Sequence, residues 1–248
     1  MVAEGAPFPT VQISIEKPIG QPRSMIRAEH QSDSVRWFDE KITTDHSLAY
    51  ELNLLWPNGL RLEYRTQRLR SEHSGETKQE VCLVGQCFWI ADSLIKGLQD
   101  NDNILVELDN HEIWVSKDYA FDIFSDTTIS PQIGANILPA KITVSGTDGA
   151  ERFQSILPIP FIGLGVRSNF IGGSNLFGQI HYFSYQHEKW GIDYQQHQIG
   201  VEQPINRELS VVIGYSHYRF NANYSKHSVD AEVKLQLDRP FIRVSMQF

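Results

Sequence analysis

The chain has 248 residues, of which 41% are hydrophobic and 21% charged, and its 30 acidic and 22 basic residues give a formal net charge of −8. This composition fits one folded domain and excludes collagen-like, disordered and coiled-coil proteins. No stretch approaches the roughly 18 consecutive apolar residues of a membrane-spanning helix. The acidic balance, without a cluster of lysine and arginine, argues against nucleic-acid binding. Strands that cross a membrane alternate in polarity, so composition leaves that class open.

The first ten residues, MVAEGAPFPT, contain no basic segment followed by an apolar run, so they do not resemble a signal peptide. We expect either a cytoplasmic chain or one whose signal peptide has been removed, with Met1 in its place. A first candidate strand covers residues 9–17. In the connection 18–45 that follows, an additional hairpin around Ser34–Ile42 would raise the strand count.

The clearest alternation begins at Leu48, where apolar residues up to Trp56 share one face of the segment and polar residues share the other. Pro57-Asn58-Gly59 is a tight-turn sequence. After the turn, apolar and charged residues alternate again, with Leu60, Leu62 and Tyr64 against Arg61, Glu63 and Arg65. The segment 48–65 is therefore predicted to form a hairpin with one apolar face and one charged face.

The connection 70–110 contains both cysteines of the chain, Cys82 and Cys87, in a polar stretch. Such a pair suits a small disulfide loop in an oxidising compartment, and two unrelated free thiols are the alternative. A zinc site is not predicted, because the pair has no second pair to complete it. Within the same connection, FWIADSLIKGLQ (88–99) places apolar residues at roughly helical spacing, as expected of a short helix over a barrel mouth or of a partly ordered surface loop.

Period-two alternation continues to the end of the chain. Further candidate strands lie near 111–124, 128–144, 153–168, 175–186, 191–202, 209–216 and 228–248. In the last of these, the apolar row is Val229, Ala231, Val233, Leu235 and Leu237, and after Asp238-Arg239-Pro240 it continues at Ile242, Val244, Met246 and Phe248. Because proline cannot donate to a strand ladder, this change of parity predicts a β-bulge in one long strand.

About ten strands result, with eight or twelve as the alternatives. The short connections are 57–59, 125–128, 169–174 and 203–207, and the longer ones are 18–45, 70–110, 145–152, 185–190 and 221–227. We therefore predict an all-β fold, a single antiparallel up-and-down transmembrane β-barrel domain spanning 1–248. Its short turns are expected on the periplasmic side and its longer loops, including 70–110, on the extracellular side. An even strand number places both termini on the short-turn side.

The end of the chain resembles a known family. DRPFIRVSMQF, with Val244, Met246 and Phe248 at alternate positions, is similar to the C-terminal strand of Gram-negative outer-membrane proteins, whose terminal aromatic residue is recognised by the barrel-assembly machinery. In order, ILPIPFIGLGVRSNF, NLFGQIHYFSYQ, IGVEQPINRELSVVIGYSHYRF and VKLQLDRPFIRVSMQF look like the last strands of small OmpA-like or OmpW-like barrels. The resemblance is clearest over 153–248. It implies an outer-membrane location, contact with lipid and lipopolysaccharide, and an assembly signal at these three C-terminal residues.

A soluble lipocalin-like barrel is the alternative architecture, in which the apolar row would line a ligand cavity. In an outer-membrane barrel the charged row faces the lumen, where its mixed signs permit pairing. The residues expected to form this lumen network are Glu51, Arg61, Glu63, Arg65, Asp118, Asp122, Arg167, Glu202, Asp230, Glu232, Lys234 and Arg243.

Aromatic residues near the strand ends favour the membrane barrel, because they suit the two interfacial girdles of such proteins. At the short-turn end these are Trp56, Phe124, Phe170 and Phe248. At the long-loop end they are Tyr182, Tyr185, Trp190, Tyr194, Tyr218, Phe220 and Tyr224.

A ten-stranded barrel is narrow, and large side chains would fill it, so we do not expect a general-diffusion pore. The expected role is structural, adhesive or that of a narrow channel for small solutes or ions, without a cofactor. The alternative from another class is an outer-membrane enzyme, either lipid A-modifying or an omptin-like protease.

We assign no catalytic residue and no metal ligand. His187 and Asp193 lie at the long-loop end, where an omptin-like site would be, but no motif of that family surrounds them. His181 and Ser184 are three residues apart and so point to opposite faces of a strand. The histidines 181, 187 and 197 are interpreted as interfacial or lumen-lining residues.

Overall fold

The computed structural model describes residues 8–19, 23–30, 35–37, 48–74, 81–83, 86–88, 103–121, 126–146, 149–187, 190–226 and 229–248. Within these ranges nearly every residue belongs to a β-strand, apart from turns and one 3-10 turn at Ile171–Gly173. No helix in the described ranges is long and apolar enough to span a membrane. The helix predicted over 88–99 lies outside the described residues except for Phe88.

The strands, in chain order, are β1 (Thr10–Pro18), β2 (Arg23–His30), β3 (Val35–Trp37), β4 (Ala49–Leu55), β5 (Leu60–Ser74), β6 (Val81–Leu83), β7 (Gln86–Phe88), β8 (Asn103–Lys117), β9 (Tyr119–Phe121), β10 (Thr127–Gly146), β11 (Gly149–Asn169), β12 (Asn175–His187), β13 (Trp190–Pro204), β14 (Leu209–Lys226) and β15 (Val229–Gln247).

Ten of these strands close one antiparallel barrel. Their order is β1-β4-β5-β8-β10-β11-β12-β13-β14-β15, and β15 pairs back with β1. Strand β2 continues along the same edge of β15 as β1, and β3 pairs with β2. The described part of the region 18–45 therefore adds no strand to the ten that close the barrel: β2 continues the position of β1, and β3 pairs with β2. The predicted number of ten strands is confirmed.

The ladder also sets the tilt of the strands. A path that steps from each residue to the one directly opposite it on the next strand starts at Phe248, continues at Val11 and goes once around the barrel. It returns to β15 at Gln236, twelve residues away from Phe248 along the strand. For ten strands this stagger corresponds to a tilt of roughly 40°, which is typical of closed barrels.

Short turns join the strands at the end that carries both termini. In the first of them, the Gly59 amide donates to the Trp56 carbonyl at 2.9 Å, and Gly59 has φ +81°, a conformation that favours glycine. The other short connections are 122–126, 170–174 and 205–208. The predicted short turns are confirmed at this end.

At the opposite end, three connections differ from the loops predicted over 145–152, 185–190 and 221–227. Paired strand continues to Gly146 and Gly149, to His187 and Trp190, and to Lys226 and Val229. Strands β10 and β11 have 20 and 21 residues, about twice the 9–11 residues of a tilted membrane-spanning strand. The wall thus continues as paired β-structure well beyond a membrane-thick section.

An apolar surface surrounds the barrel near its short-turn end. Exposed outward side chains there come from all ten barrel strands: Ile13, Ile15, Leu52, Tyr64, Ile113, Val115, Ile133, Leu164, Ile180, Ile199, Val201, Ile213, Ile242 and Val244. We call this surface the apolar belt. The outward orientation predicted for the row 48–56 is observed at Leu48, Tyr50 and Leu52. Water-soluble monomers rarely expose a continuous apolar surface of this extent.

Farther from the short turns, the two faces of the wall exchange polarity. On β14 the outward side chains change from apolar, at Ile213, to charged, at Arg219. The inward side chains change from polar, at Ser216, to apolar, at Phe220. The rungs between β14 and β15 run without interruption, so no side chain changes face. We call this second section, polar outside and apolar inside, the collar.

This exchange corrects the prediction for β15. No bulge interrupts its ladder with β14 at Asp238-Arg239-Pro240, although on the other edge of β15 the rungs to β1 stop at Phe241 and those to β2 resume at Asp238. Leu237 is 4% exposed inside the barrel, on the same face as Phe241. Ile242 and Val244 point outward into the belt. The apolar row ending at Leu237 and the row beginning at Ile242 therefore lie on opposite faces of one regular strand.

Candidate functional site

The lumen is the candidate functional site, and its short-turn end holds a polar cavity of about 90 Å³. Two ion pairs line it. Arg61 pairs with Asp118, whose Oδ1 also accepts a hydrogen bond from the Ser130 hydroxyl at 2.6 Å. Arg167 Nη2 lies 3.5 Å from Glu202 Oε2. The cavity therefore presents charges of both signs. Arg61 of β5 pairs with Asp118 next to the neighbouring β8, whereas Arg167 of β11 reaches past β12 to Glu202 of β13.

A buried ion-pair cluster closes the inner end of this cavity. The Glu16 side chain is 3% exposed, and its two oxygens lie 2.6 Å from Arg65 Nη2 and 2.7 Å from Arg243 Nη2. Arg239 Nη2 lies 3.6 Å from the same carboxylate, and Arg243 Nη1 lies 3.2 Å from Glu51 Oε2. We call these five residues the central cluster. Buried charges persist when they are paired and hydrogen-bonded in this way.

Strand register explains how these charges meet. Glu16 lies directly opposite Arg243 of β15 on one side and the small Ala49 of β4 on the other. Along an adjoining path, Glu51 of β4 lies opposite Arg65 of β5. Arg65 in turn lies opposite Glu112 of β8, which is buried. Opposite charges on directly facing strand positions attract one another, so the register itself builds the cluster.

Beyond the central cluster, aromatic rings fill the lumen. His181 stacks on Phe161 with centroids 4.1 Å apart and meets Trp114 edge-on at 5.2 Å. Tyr194 follows at 5.8 Å from Phe161, and Tyr218 at 5.6 Å from Tyr194. We call these five residues the aromatic layer. Above it lies an apolar core formed by Leu138, Ile159, Ile192, Phe220 and Leu237.

Glycines on the inner wall make room for the aromatic layer. A Cβ atom at Gly134 would lie 2.8 Å from Phe161 Cζ, and one at Gly163 would lie 2.6 Å from His181 Cδ2. Both distances are shorter than any normal contact between carbon atoms. These two positions therefore admit a ring from a neighbouring strand because they carry no side chain.

Eight residues of the predicted lumen network lie on the inner face: Glu51, Arg61, Glu63, Arg65, Asp118, Arg167, Glu202 and Arg243. Asp122 lies outside the described residues. Asp230, Glu232 and Lys234 belong to β15, but their side chains lie outside the described part, so their lumen position stays a prediction.

The prediction did not include Glu16, Glu112 or Arg239, all of which are buried in the lumen. Glu16 alternates with Ile13 and Ile15, so the same period-two signal would have identified it. Arg239 lies in the predicted bulge, and that prediction requires the apolar row to stay on one face.

The girdle prediction is wrong for Tyr194, Tyr218 and Phe220, which are buried in the lumen. Tyr182, Tyr185, Phe170 and Phe248 are exposed, whereas Trp56 is half-buried. Phe124 and the side chains of Trp190 and Tyr224 lie outside the described part.

His187 and Asp193, the candidate pair at the long-loop end, do not come together. Ladder positions put His187 on the inner side of the wall at the rim and Asp193 on the outer side, where it accepts a 2.5 Å hydrogen bond from Ser184. His181 lies inside, 2.9 Å from Gln132 Oε1, and Ser184 outside, which matches their predicted opposite faces. In the described residues, no group of three His, Cys, Asp or Glu side chains is arranged to hold a metal ion.

The cysteines lie on a separate hairpin. Strands β6 and β7 place Cys82 directly opposite Cys87. Their side chains lie outside the described part, so the disulfide stays a prediction.

No protein-family model matches the chain, and no curated protein matches its sequence. Among solved structures, the outer membrane protease OmpT from Escherichia coli has 10% identity and a TM-score of 0.50, covering 99% of this chain and 99% of that chain. Neisserial surface protein A has 12% identity and a TM-score of 0.34, covering 94% and 96%. Ail of Yersinia pestis, solved with the heparin analogue sucrose octasulfate, has 8% identity and a TM-score of 0.34, covering 94% and 99%. At such identities the likeness to OmpT shows the fold alone, a closed antiparallel barrel of the outer-membrane type.

Proposed function

We propose that this protein is an integral outer-membrane barrel that does not act as an open pore and that presents its collar at the cell surface in a structural or adhesive role. The observation that carries the proposal is the filled lumen, in which the central cluster and the aromatic layer occupy successive levels. The narrower OmpA-like or OmpW-like assignment stays a prediction.

Membrane placement is supported by the apolar belt. Its side chains point outward on strands whose inner faces carry buried charges, and this is the polarity of a wall between lipid and a polar lumen. The collar has the opposite polarity, as expected for a section surrounded by water. Because short turns in such barrels are periplasmic, we infer that the termini are periplasmic and the collar extracellular.

Orientation can be tested by labelling with a membrane-impermeant maleimide on intact cells, in a background with both native cysteines replaced by serine. A cysteine at Arg219, on the outer face of the collar, should react without permeabilisation. A cysteine at Asn206, in the short turn between β13 and β14, should react only after the outer membrane is opened. The reverse pattern would place the collar in the periplasm.

The closed lumen argues against free diffusion. A solute entering the polar cavity meets the central cluster, where Arg65 and Arg243 both bind the same carboxylate, and then the ring of Phe161. Passage would require breaking buried ion pairs and moving packed aromatic side chains. Those are costly steps, since a buried charge deprived of its partner is strongly destabilising.

Planar-bilayer recordings test this closure. The wild-type protein should show no large, steady conductance. Phe161→Ala, which removes a lumen ring, should produce more frequent openings than Ile162→Ala, which removes a side chain from the outer face of the same strand. Large, steady openings of the wild-type protein would contradict the proposal and favour a channel role.

Assembly by the barrel-assembly machinery is also part of the proposal. The Phe248 side chain is exposed, while its backbone amide and carbonyl both bond to Val11 at the seam that closes the barrel. An aromatic terminus that stays accessible at the closing seam suits a recognition signal, as the family resemblance implies for Val244, Met246 and Phe248.

A further inference from the structure

On two strands the apolar outer surface does not end at the belt. The outward residues of β10 and β11 remain apolar into the collar: Ile137, Pro139, Ile156, Pro158 and Pro160. We call them the collar patch. Ile156 is 62% exposed, so a large apolar side chain lies uncovered at a level where the outer wall is otherwise polar.

The collar patch is a local feature of these strands. On β8, His111 lies directly opposite Ile137, and Asp109, paired with Arg68, is level with Pro139. On β12, the outward residue after Tyr182 is Ser184. Both flanking strands have therefore become polar while β10 and β11 have not. A tilt of the barrel in the membrane would shift the boundary gradually from strand to strand, so tilt does not account for the patch.

The prolines of the patch lie where β10 and β11 stay paired with each other but their ladders to the outer neighbours, β8 and β12, open. Rungs between β11 and β12 end at Ile162 and Tyr182, just below Pro160 and Pro158. Rungs between β8 and β10 skip Pro139. Within the β10–β11 ladder the three prolines keep their rungs, but since proline has no amide they donate no hydrogen bond to β8 or β12. Proline side chains also lose almost no conformational entropy when covered, which lowers the cost of binding through them.

The patch continues downward into the belt. Ile133 and Ile162, each 66% exposed, face each other across β10 and β11 immediately below it. Together they form a continuous apolar ridge on one hairpin. Whatever covers the ridge must be apolar at both membrane and collar levels. Lipid meets the belt, but the upper part of the ridge projects into the polar zone.

We propose that a second copy of this chain covers the ridge, with the β10–β11 hairpins of two barrels packed face to face about a two-fold axis parallel to the barrel axes. A second copy presents an apolar surface of the same height by symmetry. The outward residues of the ridge carry no charge, so self-contact opposes no like charges. Polar side chains on the flanking strands, such as Arg68 and Ser184, supply the rim that surrounds an apolar interface centre.

The ridge runs from the belt into the collar, so a contact through it would lie partly within the membrane. The collar patch supplies five outward side chains, and Ile133 and Ile162 of the belt extend the contact downward. Two barrels held upright in one bilayer have already lost part of their orientational freedom, so less buried area is needed.

Site-specific cross-linking in native membranes tests the proposal. In the cysteine-free background, Ile156→Cys should give cross-linked dimers of this chain with a short bis-maleimide. Arg219→Cys, on the collar surface of β14, is the control and should give at least about ten-fold less dimer. Cross-linking of Ile156→Cys to a thiol of another protein, or no more dimer than Arg219→Cys gives, would overturn the proposal.

A second variant keeps the test independent of folding. Ile137→Lys combined with Ile156→Lys places like charges against each other in the dimer and should shift native mass spectra in lipid nanodiscs from dimer to monomer, by about ten-fold or more. Heat-modifiable gel migration of the same sample shows whether the barrel is folded and inserted. A wild-type protein that is folded but monomeric in nanodiscs would refute the dimer while leaving the membrane-barrel proposal intact.

Discussion

Replacing Glu16 by glutamine should destabilise the barrel strongly, because one carboxylate holds three arginines. Arg65 and Arg243 bond to it at 2.6 and 2.7 Å, and Arg239 lies at 3.6 Å. Glutamine keeps the volume and one acceptor but removes the negative charge. The guanidinium groups of Arg65 and Arg239 would then remain buried with their nearest counter-charge lost.

The magnitude follows from burial. Removing one partner of a buried ion pair costs roughly 3–5 kcal/mol, whereas an exposed pair contributes about 0–1 kcal/mol. Arg68 and Asp109, whose side chains are 68% and 34% exposed on the outer face of the collar, form the matched exposed pair. We therefore expect Glu16→Gln to lower the free energy of unfolding by roughly 3–5 kcal/mol and Asp109→Asn by less than about 1 kcal/mol.

Urea unfolding in phospholipid vesicles, followed by tryptophan fluorescence and by heat-modifiable gel migration, measures both variants. Glu16→Gln combined with Arg239→Met removes one charge of each sign and should be more stable than Glu16→Gln alone. If Glu16→Gln costs no more than Asp109→Asn, or if the double variant is less stable than the single one, the central cluster does not stabilise the barrel in this way.

Three further predictions use single substitutions. Ile213→Lys, in the belt of β14, should cost about 2–4 kcal/mol of unfolding free energy in vesicles, and Asn221→Lys, farther along the same strand and face, less than about 0.5 kcal/mol; equal costs would place both residues in the same surroundings. Phe248→Ser should reduce the folded protein recovered from outer membranes, and normal recovery on immunoblots would contradict its role as assembly signal. Phe161→Ala should cost roughly 3–5 kcal/mol in urea unfolding, because it leaves a cavity within the aromatic layer, and a loss under 1 kcal/mol would show that the layer is loosely packed.

The hairpin 48–65 shows what the sequence predicts well. Its alternation, the tight-turn sequence and the outward face of Leu52 all follow from local rules, because the side-chain period of a strand is two and the turn needs a residue with positive φ at Gly59. The ten strands and the short turns could be predicted for the same reason.

Strand β15 shows where such reasoning fails. The change of parity near Arg239 is real in the sequence, yet the strand is regular and only its surroundings change. The girdle prediction for Tyr194 and Tyr218 was wrong for a similar reason, because an aromatic residue near a strand end suits either a lipid interface or a packed lumen. Glu16 and Arg243 are 227 positions apart, and only closure of the barrel makes them neighbours.

By itself, the sequence determined that side chains alternate between two faces and where the chain turns back, because both are local properties of the backbone. The tertiary structure decided which face meets lipid, water or the lumen, and it places the exchange of polarity between belt and collar near Tyr215 on β14 and Pro240 on β15. The physical reason is that a strand keeps its parity while the medium around it changes. An apolar row faces outward where lipid surrounds the wall and inward where water does.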